Sequence, residues 1–285
     1  MTVNDDHLDT LLARLSLAWT RKNHRNLVER AESEQWSYRD FLTTIAAEEV
    51  AHRRQSRLRR HTVAAHFPFL KTIDEFDFTL QSTLRLSLLG SYLGPELLAD
   101  GRNLVLYGKP GRGKTHLAIA IAYKAIQNGF DALFITAAAL IDDLSRAFQN
   151  NSFRAALLPY IEPHVLVIDE VGYLSYGHDA ANVLFHVVNE RHLKKRPMIF
   201  TTNKPLAAWG SVLHDPDLAE AIIDRILERG RFITLDGPSS RTRHLKPDEL
   251  ALLSPDPSLL PARISGKIPA EFPEPTSGRD SRPSD

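Results

Sequence analysis

Cysteine is absent from all 285 residues. That excludes disulfides, thiolate nucleophiles and cysteine-held zinc, and leaves any metal to oxygen or histidine ligands. No apolar run comes near the ~20 residues that a helical membrane span requires. The first ten residues are polar and acidic, without the basic-then-apolar order of a secretion signal. A cytoplasmic chain with no membrane association is therefore the expectation. Nor is either charge in excess: 35 Lys and Arg stand against 35 Asp and Glu, so only local patches could draw nucleic acid. What is present is an ordinary soluble composition, 43% hydrophobic and 25% charged, long enough for one sizeable domain with smaller appendages.

Residues 103–121, NLVLYGKPGRGKTHLAIAI, organise the rest. An apolar strand-like run ends in a glycine-rich turn that leads into an alanine-rich helical pattern, and Gly108, Gly113, Lys114 and Thr115 match G-x-x-x-x-G-K-[ST]. Glycines let backbone N–H groups close on phosphate oxygens, and the following helix start adds its partial positive charge. The spacing predicts a phosphate loop for ATP formed by Gly108, Lys109, Pro110, Gly111, Arg112, Gly113, Lys114, Thr115 and His116. Lys114 is expected to reach the β- and γ-phosphates, and Thr115 to hold Mg²⁺.

Beyond the loop, strand-like and helix-like pieces alternate, which predicts an α/β fold with a parallel sheet sandwiched by helices. Residues 132–136 read as a strand and 138–149 as a helix. Residues 164–169 form a continuous apolar run ending in Asp169 and Glu170, at the strand end where open α/β sheets bind ligands. Asp169 is the candidate Mg²⁺ ligand, and Glu170 the base that orients and deprotonates the attacking water. A helix over 180–193 and a strand over 198–200 follow, the latter closing in Thr201, Thr202 and Asn203. A neutral amide beside two acids can bond the γ-phosphate or the water without adding negative charge, so Asn203 is the candidate γ-phosphate sensor. A helix over 217–229 carries Asp224 and Arg225, and 232–235 closes as a strand. Arg225 reads either as a surface cation or, in a ring of subunits, as a guanidinium facing the neighbour's γ-phosphate.

The N-terminal part reads as helical. Leu8, Leu11, Leu12, Leu15 and Trp19 recur at three- and four-residue steps, predicting one amphipathic stripe over 8–19. Ser37 with Asp40 three residues on is a second helix start, running on into 51–61, where Arg53, Arg54, Arg57, Arg59 and Arg60 crowd together. Two readings stay open there: a solvated helix end, or a patch that contacts DNA phosphates. Residues 67–78, FPFLKTIDEFDF, follow neither period and read as a connector pinned by Ile73, Phe76 and Phe78. The last 32 residues hold seven of the chain's 17 prolines and predict a disordered tail, preceded by a short helix over 248–253.

The order of these parts resembles AAA+ ATPases, and more narrowly the IstB-like clade of helicase loaders and insertion-sequence transposition helpers. The resemblance is carried by FDF at 76–78, GKTHLAIA at 113–120, LVIDEVGYL at 166–174, LFHVVNER ending at Arg191, the strand ending TTN, Trp209 and AEAIIDRIL at 219–227. It implies an ATPase that assembles on double-stranded DNA as a ring or helical homo-oligomer and assists a partner transposase. It also implies an almost absent helical lid. Lys114, Thr115, Asp169, Glu170, Asn203 and Arg225 would hold the roles argued above. The division expected is 1–70 as an N-terminal helical DNA- or partner-binding domain, 71–246 as the ATPase domain and 247–285 as tail. GPSSRTR at 237–243 lacks the tyrosine expected before its arginine, and TTN stands where a serine often precedes the asparagine, so Arg241 is assigned no sensing role. A replicative helicase loader of the same clade is the competing reading. A small-molecule kinase needs neither a water-activating glutamate nor a trans-acting arginine, and a non-hydrolysing binder would not need the intact hydrolytic set.

Overall fold

The computed structural model describes residues 5–81, 84–173 and 176–239. The chain groups into two compact units, Met1–Ser240 and Arg241–Asp285; the predicted tail, the helix over 248–253 and Arg241 lie outside the described residues. The first unit opens with α1 (Asp5–Arg14), α2 (Ala18–Ser33) and α3 (Tyr38–Ala64), followed by short helices α4 (Gly90–Leu93) and α5 (Glu96–Ala99). The α/β part then runs β1 (Asn103–Tyr107), α6 (Lys114–Gln127), β2 (Ala132–Thr136), α7 (Ala137–Gln149), α8 (Phe153–Ile161) and β3 (Val165–Val171). It continues through α9 (Ala180–Leu193), β4 (Met198–Thr202), α10 (Trp209–Leu213), α11 (Pro216–Glu228) and β5 (Gly230–Thr234).

All pairings are parallel, in the order β2-β3-β4-β1-β5. Alternate residues of each inner strand feed opposite faces, as period-two geometry requires. Val105, Leu166, Ile168, Met198 and Phe200 pack with α7, α8, α9 and α11. Leu104, Leu106, Val165, Val167 and Ile199 pack with α6, with Phe76 of the connector, and with Leu84, Leu89 and Tyr92 beyond it. Both faces are covered, which is why these strands read as unbroken apolar runs. Every strand points its carboxyl end to one edge of the sheet, and β1 sits where the chain order reverses, with β4 on one side and β5 on the other.

The single stripe expected over 8–19 is two helices. Ser16 adopts a left-handed φ of 55°, and Leu17 N–H bonds back to Leu12 carbonyl while Ser16 N–H bonds Ala13 carbonyl, a Schellman closure that ends α1. Leu12 is buried, whereas Leu15 at the break is 66% exposed. The expected start of α3 is present: the Ser37 hydroxyl accepts the Asp40 N–H. The far end of α3 is tied to the sheet edge. His61 Nδ1 lies 3.0 Å from Phe130 carbonyl oxygen, and Phe134 N–H donates to Ala65 carbonyl at 2.8 Å. Helix α8 starts after Ser152, whose side chain makes no cap bond, and carries Pro159 inside it, a residue that argues against a helix in the sequence. Among the described residues no helix is long and apolar enough to cross a membrane.

Candidate active site

The loop leaving β1 is built on glycines for steric reasons. A Cβ at Gly108 would meet Leu235 carbonyl oxygen at 2.5 Å. Gly113 has φ +86°, and a Cβ there would press on the Phe76 ring at 2.8 Å. Gly113 is the residue preceding α6, and that helix start has no side-chain cap. The helix start thus brings its first-turn N–H groups and its positive end to the loop, the arrangement that receives phosphate oxygens. Lys114 Nζ folds back on the loop, donating to the carbonyls of Gly108 at 2.7 Å and Lys109 at 3.0 Å. Arg112 turns its guanidinium to the carbonyls of Asp236 and Gly237. Gln81 accepts the N–H groups of those same two residues, both at 3.0 Å. His116 turns away from the loop, its Nε2 3.1 Å from Thr72 carbonyl oxygen and its ring edge-on to Phe76. Burial holds that imidazole below its usual pKa. Its side chain thus fixes the connector to α6 rather than facing the loop.

The two acids sit on a distortion of β3. Register with β4 runs Ile168↔Phe200 and then Val171↔Thr202, a bulge at Asp169–Glu170, which sends two consecutive side chains to different surroundings. Asp169 is 4% exposed. It accepts the Thr115 hydroxyl at 3.0 and 3.1 Å and the Thr201 hydroxyl at 2.5 Å. Burial pushes its pKa up, against those hydrogen bonds and the Lys114 charge. Glu170 is exposed, with φ +61°, a strained conformation for a residue with a side chain. Its N–H donates to Thr201 Oγ1 at 3.0 Å, so one hydroxyl joins both acids. Thr201 was visible in the sequence only as a strand residue; its bridging place follows from the bulge.

Asn203 follows directly on Thr202, and its Oδ1 is buried without a hydrogen-bond partner among the described residues. An amide oxygen so placed can accept a hydrogen bond from a donor such as a water O–H. The donor set suits Mg²⁺ with a nucleotide: the Thr115 hydroxyl, a buried carboxylate held by hydroxyls, and a glycine-rich loop at a helix start.

Arg225 lies elsewhere. It reaches Asn189 Oδ1 at 3.1 Å and Ala221 carbonyl at 2.9 Å, with its guanidinium 4.8 Å from the centroid of the Phe185 ring. These contacts hold it on α9 and α11, and none is to its own phosphate loop. Arg191 is fully buried, donating to the carbonyls of Tyr160, Pro163, His164 and Pro197 at 2.8–3.1 Å. Burial lowers its pKa to about 9, so it stays charged at neutral pH and knits the starts of β3 and β4 together.

The five N-terminal arginines do not form one surface. Arg53, Arg57 and Arg60 share a face of α3 at i, i+4 and i+7, with Arg54 beside them and Arg59 on the far side. Arg53 is committed to the fold: it pairs with Glu49 at 3.2 Å and donates to Ser16 carbonyl at 2.8 Å. Arg54, Arg57 and Arg60 line an open cleft of about 540 Å³ between the α1–α2 turn and α3.

Residues 10–247 match the family model described as IstB-like ATP binding protein. The ATP-binding protein of insertion sequence IS21 from Pseudomonas aeruginosa is 34% identical over 236 residues, 83% of this chain and 89% of that protein. The corresponding protein of IS5376 from Geobacillus stearothermophilus is 34% identical over 236 residues, 83% of this chain and 94% of that one. Among solved structures, AMPPCP-bound DnaA from Aquifex aeolicus superposes with a TM-score of 0.50 at 18% identity, over 60% of this chain and 51% of that one, a likeness of fold. By its fold this chain is a parallel-sheet α/β protein with a phosphate-loop motif, and it belongs to the IstB-like ATP-binding family.

Proposed function

We propose that this chain is an ATP-hydrolysing AAA+ regulator that assembles on double-stranded DNA as a ring or filament and assists a partner transposase. The observation that carries the hydrolytic part is the hydroxyl-linked run Thr115–Asp169–Thr201–Glu170. It joins the end of the phosphate loop to an outward carboxylate with no partner among the described residues. Thr115 and Asp169 would hold Mg²⁺, which when bound supplies charge neutralisation on the phosphate oxygens. Lys114 leaves the Gly108 and Lys109 carbonyls for the β- and γ-phosphates, Asn203 bonds the γ-phosphate or the water, and Glu170 takes the water's proton. Arg225, remote from its own loop, acts on a neighbouring subunit's nucleotide, which makes assembly a condition of turnover.

The transposition reading is supported by relatives that carry insertion-sequence names, and residues 1–70 are the part we assign to DNA or partner binding, through the open face of α3. Phosphate-contacting arginines lower affinity steeply with salt, and that dependence is measurable. The test is sedimentation of the full chain with duplex DNA and Mg²⁺-ATP, alone and with the transposase of the adjoining reading frame. ATP-dependent assembly on DNA that Lys114→Ala abolishes, and that recruits the transposase, is expected. A chain that stays monomeric on DNA with ATP would remove this reading.

A further inference from the structure

The strained turn that carries Glu170 is held on one side by Thr201 and on the other by a side chain with no assigned role. Tyr176 Oη accepts the Gly172 N–H at 2.9 Å and donates to the Glu170 carbonyl at 3.3 Å. Glu170 at φ +61° and Gly172 at φ +83° are both left-handed, so the chain reverses within three residues, and such a conformation persists only where its surroundings over-determine it. The Glu170 carbonyl also accepts the Tyr173 N–H, and Thr202 holds the Val171 carbonyl at 2.7 Å. Gly172 is buried, and its N–H has the phenol oxygen as partner. Tyr176 packs against the core on the α7–α11 face of the sheet, its carbonyl lies 3.2 Å from His214 Nε2, and burial holds the phenol above its usual pKa. It therefore stays a neutral O–H, able to accept and donate at once.

We propose that Tyr176 is a positioning residue for the water-activating carboxylate: its hydroxyl clamps the Glu170–Gly172 turn and thereby aims the Glu170 side chain. This rests on Glu170 being the base. Removing the hydroxyl leaves a buried N–H unpaired and frees the turn to relax toward negative φ, which swings the carboxylate. A displacement of about 1 Å at a reacting group can lower a rate by up to ~10²-fold.

The test is Tyr176→Phe in the full chain with Mg²⁺-ATP and duplex DNA. A fall in kcat of about 10-fold or more, with KM for ATP within about twofold and faster amide exchange at Gly172, is expected. A merely structural loss would lower the melting temperature without splitting kcat from KM. In the Glu170→Gln background, followed by single turnover, Tyr176→Phe should add little, because both changes act through one carboxylate. Full activity of Tyr176→Phe beside an inactive Glu170→Gln would overturn the clamp while leaving the base intact, as would a loss that multiplies undiminished in the double variant. Full turnover by Glu170→Gln alone would instead remove the base, and the clamp with it.

Discussion

The Thr115 hydroxyl lies 3.0 and 3.1 Å from the two carboxylate oxygens of Asp169, although the residues are 54 positions apart. Parallel β1 and β3 flank β4, so the end of the phosphate loop and the end of the acidic strand meet at one edge. That contact places a hard-oxygen pair where a nucleotide-bound cation is needed. It also takes that carboxylate almost wholly out of water.

Asp169→Asn should therefore stabilise the ligand-free protein at neutral pH while abolishing hydrolysis. Burial holds the folded-state pKa of Asp169 above its ordinary value. The folded chain thus binds this proton more readily than the unfolded chain. The corresponding stability is present below the unfolded pKa and lost as pH rises through the folded one. At pH 7 the ionised group is a cost, so the variant should melt a few degrees higher, ~2–4 °C per kcal/mol for a domain of this size. That gain should vanish as pH falls into the carboxylate range. Calorimetry across pH checks it; a lower melting temperature at pH 7 would contradict it.

Glu170→Gln should bind ATP normally and lose turnover by ~10²-fold or more, the scale of a positioned base. Glu170 is exposed, so the melting temperature should stay within the range of a surface substitution, about 0.5 kcal/mol. Phosphate release against equilibrium nucleotide binding separates the two.

The arginines of α3 should divide by role. Arg54→Ala, Arg57→Ala and Arg60→Ala together should flatten the log–log salt dependence of duplex binding, by up to ~0.9 per lost phosphate contact. Arg53→Ala should instead destabilise the N-terminal helices by ~1–2 kcal/mol, because it removes the cation from the buried Glu49 carboxylate, leaving it the Thr20 donors alone, and uncaps the Ser16 carbonyl. Arg59→Ala is the control on the opposite side of the helix. An unchanged slope in the triple variant would return this face to solvent.

Arg225→Ala, inactive alone, should partly recover ATPase activity when mixed with inactive Lys114→Ala, because some interfaces of a mixed ring pair an intact site with an intact arginine. The substitution also removes the stack on Phe185 and the bond to Asn189, a stability cost of ~1 kcal/mol. Asp224→Ala, at an exposed residue, should cost no more than ~0.5 kcal/mol. Should mixed rings form without recovery, Arg229 is the remaining candidate. Arg191 is not one, since its buried guanidinium is spent on the carbonyls of Tyr160, Pro163, His164 and Pro197, and Arg191→Ala would cost ~3 kcal/mol or more in lost donors and packing.

Local chemistry was legible in the chain itself. A left-handed glycine before a helix, an apolar run ending in two acids, and a serine cap followed by Asp40 are decided within a few residues, and 132–136 and 180–193 stand where their periodicity puts them. The phosphate loop, the Asp169–Glu170 pair and the strand that Asn203 follows were therefore readable as motifs. What tertiary structure decided are relations between distant residues. The break at Ser16 depends on backbone bonds that close α1, not on the leucine spacing that runs through it. Arg191 and Arg53 are arginines like their neighbours in sequence, yet packing turns one into a buried brace and the other into a cap. Thr201 and Tyr176 matter because a bulge in β3 bends the chain between them. A bulge is a mismatch between two strands, and one strand's sequence cannot specify the register of its partner.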